Sequence, residues 1–263
     1  MRNMKILVLM ISLLVATSCS SSDNADEVAT DDNPNQGETD DDGQGEDNGG
    51  EDGGDDVEAP DFYYGADLSY VNEMEDCGAT YSDLAGDVKD PYKIFNEAGA
   101  NLIRIRLWNN PTWTDYSNYE DVKKSIERAK AEGMRVLLDF HYSDTWADPA
   151  KQVIPAAWLS EIDNTEALGN LLYDYTYETL DNLSAAGLMP DIVQVGNEIN
   201  AMILQEGELK WPIDWERNSS LINKGISAVR DISSKKNIEI EVMLHIAQPE
   251  NGLWWFEQAT AAG

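Results

Sequence analysis

The chain has 263 residues, 42% of them hydrophobic, which is enough for one large domain with a sizeable core. Half of its net charge of −32 comes from residues 23–58, which hold sixteen acids and no bases, and residues 59–263 are also clearly acidic, with 34 acids and 16 bases. Nucleic acid is therefore excluded as an expected partner, because phosphate binding needs basic patches, while a neutral ligand such as a sugar is compatible with this charge.

The first twenty residues, MRNMKILVLMISLLVATSCS, predict a secretory signal. Arg2 and Lys5 precede the apolar run ILVLMISLLVA, which is too short and wrongly flanked for a membrane-spanning helix. The segment ATSC resembles the lipobox of bacterial lipoproteins. This resemblance implies that residues 1–19 are a lipoprotein signal peptide and that Cys19 is lipidated. An ordinary cleaved signal with an incidental cysteine is the alternative.

Residues 20–60 predict a disordered acidic linker rich in glycine and asparagine. The segment has almost no apolar side chains to bury, and its like charges repel one another. Its expected role is a solvated stalk between lipid and domain; a calcium-binding tract is the alternative, although no calcium-loop pattern supports it. An acidic segment behind the lipidated cysteine also resembles the surface-export signal of Bacteroides-type lipoproteins. It implies a lipid-anchored, cell-surface protein on the outer membrane of a Gram-negative bacterium.

From residue 61 onward, short apolar strands alternate with longer amphipathic helices. The patterns and the glycine stops predict five strands, at 62–68, 101–108, 134–142, 191–197 and 238–247, and five helices, at 88–100, 119–133, 165–187, 219–233 and 252–263. Such alternation indicates parallel strands joined by crossover helices, in a doubly wound sheet or a (β/α)8 barrel. No glycine-rich loop follows the first strand, which weakens the nucleotide-binding alternative.

Polar and aromatic residues gather at the ends of these strands, where barrel enzymes carry their chemistry. They are Asp67, Arg106, Trp108, His141, Asn197, Glu198 and His245. The sequence therefore favours a (β/α)8 TIM barrel. Because such a barrel has eight strands and five are visible, it is expected to be truncated after the fifth strand–helix unit. Residues 61–263 would then be its N-terminal five-eighths.

The stretch DIVQVGNEIN carries an apolar strand directly into Asn197 and Glu198. A strand that breaks at Gly196 holds a carboxyl group at a fixed edge, which suits an acid that must be positioned accurately. The alternative is that Glu198 only caps or opens the next helix. No metal is expected, because His141 and His245 are the only histidines and no cluster of cysteine and histidine exists.

Several segments resemble glycoside hydrolase family 53, the endo-β-1,4-galactanases that cut type I arabinogalactan: YYGADLSYVNEME, NLIRIRLWNNP, LLDFHYSDTWADPAKQ, IPAAW and IVQVGNEIN. Such retaining enzymes need an acid that protonates the leaving oxygen and a carboxylate nucleophile. The resemblance implies Glu198 as proton donor and later base, with Asn197 bound to the sugar 2-hydroxyl. It gives Arg106 the role of keeping the nucleophile ionised. A structural ion pair is the alternative for Arg106, and Arg104, which shares its parity, is the next candidate.

The family resemblance also places sugar subsites on the loop after the third strand. Aromatic faces stack on pyranose rings, and fixed polar groups read the hydroxyls. Besides Asn197, the expected substrate-binding residues are His141, Trp146, Asp148, Lys151, His245, Asp67 and Trp108. Trp146 has an alternative role as a loop anchor, and His245 has one in packing.

The family's nucleophilic glutamate lies on a seventh strand, which is not visible in this sequence. Glu239 and Glu241 begin the fifth strand at the wrong end and Glu250 is a loop residue, so the chain alone is expected to be inactive. The resemblance places the family's structural calcium sites beyond the fifth strand and implies no other cofactor. The expected partners of the complete, monomeric protein are galactan or arabinogalactan and outer-membrane lipid. The alternatives are another retaining endo-glycanase, such as a xylanase or mannanase, and a non-catalytic glycan-binding lipoprotein built from a decayed barrel.

Overall fold

The computed structural model describes residues 62–263, so the predicted signal peptide, Cys19 and the acidic linker lie outside the described residues. The five strands are β1 (Gly65–Asp67), β2 (Leu102–Leu107), β3 (Arg135–Phe140), β4 (Ile192–Val195) and β5 (Glu241–Met243). The α-helices are α1 (Val71–Asp76), α2 (Pro91–Glu97), α3 (Tyr119–Ala131), α4 (Thr165–Ala185), α5 (Trp215–Lys236) and α6 (Pro249–Ala262), with a 3-10 helix at Ala156–Glu161.

The strands form one parallel sheet in the order β1-β2-β3-β4-β5. A doubly wound sheet reverses its strand order at a switch point, whereas a barrel adds each new strand beside the last. The consecutive order therefore matches the first five strands of a (β/α)8 barrel, and the prediction of this fold class is confirmed. Within residues 62–263, β1 and β5 each pair with a neighbouring strand on one side only.

Local sequence signals account for the main helix boundaries. Asn118 begins α3 and Asn164 begins α4, each by accepting a backbone N–H from the first turn. Asp214 does the same for α5, which consequently starts at Trp215, four residues before the predicted start. All five predicted strands are longer than the observed ones, and the short α1 and the 3-10 helix were not predicted.

Alternation along the strands separates the apolar core from the barrel interior. One set of side chains packs with the helices in the main hydrophobic cluster: Ile103, Ile105, Leu107, Val136, Leu138, Phe140, Val193 and Val195. The opposite parity places Arg104, Asp139 and Gln194 on the interior face of the sheet. The polar site is thus built on the face that the helices do not cover.

Candidate active site

Arg104 is the centre of a polar network that joins four neighbouring parts of the sheet. Its guanidinium donates to an Asp67 carboxylate oxygen, to Asp139 Oδ2 at 2.6 Å and to Asn197 Oδ1 at 2.7 Å. Its Nε donates to Gln194 Oε1 at 3.3 Å. One cation therefore holds together side chains from β1, β3 and β4 and the side chain of Asn197, two residues after β4.

Asp139 is a fully buried carboxylate that the sequence analysis did not select. Its Oδ1 accepts from Gln194 Nε2 at 2.6 Å, and its Oδ2 accepts from Arg104. His141 Nε2 also lies 3.0 Å from Oδ2, in a geometry that is not a hydrogen bond. A buried charge needs such pairing, and here it fixes the directions of both Arg104 and Gln194.

The hydrogen-bond partners of Asn197 determine the orientation of its side-chain amide. Oδ1 faces Arg104 and lies 2.9 Å from His245 Nδ1, while Nδ2 donates to the carbonyl of Ala147 at 2.7 Å. Because Oδ1 can only accept, His245 donates from Nδ1 and its Nε2 is left as an acceptor. Burial, with a further contribution from the positive charge of Arg104, lowers the pKa of His245, which favours the neutral ring at pH 7.

The backbone between β4 and Glu198 makes two unusual turns that aim the carboxyl group. Gly196 has φ +88°, and a Cβ there would lie 2.5 Å from Ile199 Cγ2, so only glycine fits. Glu198 itself has φ +47°, a costly conformation for a side chain of this type. Gln152 Nε2 donates to the carbonyls of Asn197 and Glu198, at 2.9 and 3.3 Å, and thereby supports this strained turn.

Glu198 is half-buried and has the electrostatics of a proton donor. Its pKa is raised, first by burial and then by the negative charge of Asp148, while Arg104 offsets part of the shift. General-acid catalysis needs a carboxyl group whose pKa lies above that of a free glutamate, and the Glu198 shift has this direction. Glu198 does not cap a helix, since the next helix, α5, begins at Trp215 with Asp214 as its cap.

Replacing Asp148 with asparagine is expected to move the alkaline limb of the pH–activity profile to lower pH. The Asp148 charge raises the pKa of Glu198, so its removal lets Glu198 lose its proton at lower pH, and activity that needs the proton falls earlier. The measurement is kcat/KM against pH for the complete protein that we propose to be an enzyme, as wild type and as Asp148→Asn. Asp163→Asn, an exposed acid on the same loop, is the control and should keep the wild-type limb. An unmoved or alkaline-shifted limb in Asp148→Asn would contradict the assignment.

The guanidinium of Arg106 lies apart from this network, and its role beside the nucleophile stays a prediction. Its guanidinium donates to Ser117 Oγ at 3.1 and 3.2 Å, and its carbon lies 4.2–4.7 Å from the ring centroids of Tyr70, Trp108 and Trp146. The contact with Asn197 belongs to Arg104. Arg104 and Arg106 are two residues apart on β2, so their side chains lie on the same face of the sheet. The sequence pattern alone therefore did not distinguish them.

Two predicted sugar ligands, Trp108 and His141, are buried, each with 2% exposure. Trp108 Nε1 and the backbone N–H of Ala147 both donate to His141 Nδ1, at 3.3 and 3.1 Å. Neither side chain has the free surface that direct sugar contact requires, so we assign them to loop support. The substrate-binding role expected for both residues from their position after the strands stays a prediction.

The other predicted ligands are more accessible. Trp146 and Asp148 are half-buried, and Lys151 is exposed. Asp148 and Lys151 are joined by two backbone hydrogen bonds of 2.9 and 3.1 Å, which hold the loop in a narrow turn. Asp67 remains at the end of β1, bonded to Arg104 and Ser69. The structure thus gathers Asp67, Asn197 and His245 around Arg104 and leaves Trp146, Asp148 and Lys151 on the adjoining loop.

Sequence reasoning missed Asp139, Gln194 and Gln152. The available signal was a lone polar residue in an apolar strand: the aspartate of LLDF and the glutamine of IVQV. Among residues 62–263, no group of three or more acidic, histidine or cysteine side chains converges in a way that suits a metal ion. Over the same residues, no helix has both the length and the apolar character needed to cross a membrane.

Comparison with known proteins places this geometry in context. The family profile described as glycosyl hydrolase family 53 matches residues 63–263. The chain is 57% identical over 204 residues to the arabinogalactan endo-beta-1,4-galactanase of Cellvibrio japonicus, an alignment covering 77% of this chain and 54% of that protein. It is 40% identical over 197 residues to the endo-beta-1,4-galactanase of Bacillus subtilis, covering 72% and 43%. The chain thus spans about half the length of the curated relatives it matches.

The fold of the chain is also similar to that of solved structures. A structure from a study of two fungal beta-1,4-galactanases superposes with a TM-score of 0.68 at 35% identity, covering 76% of this chain and 59% of that one. The GH53 catalytic domain of Ignisphaera aggregans superposes with a TM-score of 0.67 at 31% identity, covering 79% and 58%. The likeness therefore extends from the sequence to the arrangement of strands and helices.

Proposed function

Since the chain belongs to glycosyl hydrolase family 53, we propose that the complete protein is an endo-acting retaining glycoside hydrolase that cleaves β-1,4-galactosidic bonds in type I arabinogalactan. The names of its relatives support this substrate class. The structural observation that carries the proposal is the half-buried Glu198, with its raised pKa, beside an Asn197 amide oriented by Arg104. Those groups are the ones needed to protonate a leaving oxygen next to a bound sugar.

In the proposed reaction, Glu198 donates its proton to the glycosidic oxygen and later removes one from water. The Nδ2 group of Asn197 uses one N–H for the Ala147 carbonyl, so its second N–H is available to a sugar hydroxyl. A retaining enzyme also needs a nucleophilic carboxylate about 5–5.5 Å from the acid. Asp67 lies on β1 and Asp139 on β3, whereas the family resemblance places the nucleophile on a seventh strand, so we assign no nucleophile within residues 62–263.

The test is hydrolysis by the complete protein of galactan, xylan and mannan, with the anomer of the first product followed by NMR. The proposal expects new reducing ends from galactan, with a β-anomer formed first. Faster cleavage of xylan or mannan would favour another endo-glycanase instead. Binding of galactan without any cleavage would favour the non-catalytic glycan-binding alternative.

We also propose that Cys19 is lipidated and anchors the protein to the outer membrane, with residues 20–60 as a stalk that exposes the domain at the cell surface. The support is the lipobox-like ATSC and the acidic composition behind it. Metabolic labelling with a palmitate analogue is expected to tag the wild type and to miss Cys19→Ala. Equal labelling of both proteins would show that the cysteine is incidental.

A further inference from the structure

Trp113 is an exposed tryptophan held rigidly on the loop between β2 and α3. Its side chain is 53% exposed, yet its Nε1 donates to the Asp144 carbonyl at 3.1 Å. Its ring lies 4.9 Å from the ring of Trp108, centroid to centroid, at an angle of 48°. The hydrogen bond and the contact with Trp108 therefore fix the orientation of the Trp113 ring in the absence of a ligand.

The support beneath Trp113 extends into the candidate active site. Trp108 packs between Trp113 and the guanidinium of Arg106, whose carbon lies 4.2 Å from the Trp108 ring centroid. Trp108 Nε1 in turn donates to His141, which lies against Asp139. Trp113 is thus the exposed end of a row of side-chain contacts that leads through Trp108 and His141 to the Arg104 network.

Asp144 fastens this loop to the neighbouring loop after β3. Its Oδ1 accepts from the backbone N–H of Asn110 at 3.0 Å, and its Oδ2 accepts from that of Ala156 at 2.8 Å. Both loops leave the carboxyl ends of their strands, so Trp113 lies on the same end of the barrel as Glu198. If the Trp113 ring only anchored the loop, burying it would stabilise the protein, because burial of apolar surface is favourable. About half of the side chain nevertheless remains exposed to solvent.

We propose that Trp113 is a distal sugar-binding platform on which a galactosyl unit of the polysaccharide stacks, an assignment that rests on the proposed galactanase function. Galactose presents the hydrogens of C3, C4 and C5 on one side of its ring, which makes an apolar patch suited to an indole face. The ligand is uncharged, which fits a domain with 34 acids and 16 bases in residues 59–263. Trp113 contacts the site through Trp108, so it serves units of a long chain that lie beyond the bond being cut.

The experiment compares KM and kcat of the complete protein on polymeric galactan and on the shortest oligogalactan it cleaves. Trp113→Ala is expected to raise KM for the polymer about tenfold, with kcat and the oligosaccharide constants unchanged, because an interaction made equally in ground and transition states affects KM alone. Trp113→Phe keeps an aromatic face and should recover most of the loss. Trp254→Ala removes a similarly exposed tryptophan, 46%, from α6 and should behave as wild type.

Each outcome separates the inference from the function on which it rests. Wild-type KM on the polymer in Trp113→Ala would overturn the platform and leave the galactanase proposal intact. An equal loss on polymer and short oligosaccharide would also overturn it, because that pattern indicates damage to the cleavage site itself. A wild-type protein that neither cleaves nor binds galactan would overturn both proposals.

Discussion

Glu198→Ala is expected to lower kcat of the complete protein on galactan by about a hundredfold to ten-thousandfold. The half-buried carboxyl with its raised pKa is the group placed to protonate the leaving oxygen, and alanine supplies no proton. On an activated aryl galactoside the loss in kcat/KM should be much smaller, since kcat/KM reports the first step and that leaving group departs without protonation. The measurement is kcat on galactan and kcat/KM on both substrates.

Added azide provides a second readout for the same variant. A small anion can enter the space left by the carboxylate and attack the glycosyl intermediate, so turnover of the activated substrate should partly recover and yield a β-linked galactosyl azide. Glu206→Ala, on the same loop but exposed, is the matched control and should keep wild-type activity. Near-normal galactan cleavage by Glu198→Ala would end the assignment.

Arg104→Met is expected to lower the free energy of unfolding by about 3 kcal/mol and to abolish most activity. Asp139 has no exposed side-chain surface, so without Arg104 it remains a buried carboxylate that has lost its cationic partner. Asn197 loses the donor that orients its amide oxygen at the same time. Urea unfolding measures the first effect, and kcat on galactan measures the second.

Lys93→Met serves as the matched control, because Lys93 and Glu97 form an exposed i,i+4 pair with a separation of 4.0 Å. Its removal should change stability by less than about 0.5 kcal/mol. A second comparison uses Arg106→Met, which tests the assignment made from the sequence. If Arg106→Met abolished activity while Arg104→Met kept both activity and stability, the central role would belong to Arg106 after all.

The sequence alone determined the features that depend on local patterns. Short apolar runs and glycine stops predicted the five strands and the helices between them, and their regular alternation predicted parallel pairing, because parallel neighbours need a crossover connection. The sequence also indicated Asn197 and Glu198 as site residues. An apolar strand breaks at Gly196 and leads directly into a carboxylate, and burying a carboxylate costs free energy unless it has a partner or a function. It also marked the strand ends as the place where polar residues gather.

Only the tertiary structure decided which of those polar residues meet. Arg104 and Arg106 have the same parity, and the depth of each along β2 relative to Asp139 and Asn197 depends on the register of neighbouring strands. Their position at the ends of strands predicted that Trp108 and His141 are exposed. Both are buried, because two loops that are separate in the sequence pack together around them. The sequence analysis did not select the exposed Trp113 for the same reason. Whether a tryptophan ring is buried depends on contacts between residues far apart in the sequence, and a local sequence pattern does not predict those contacts.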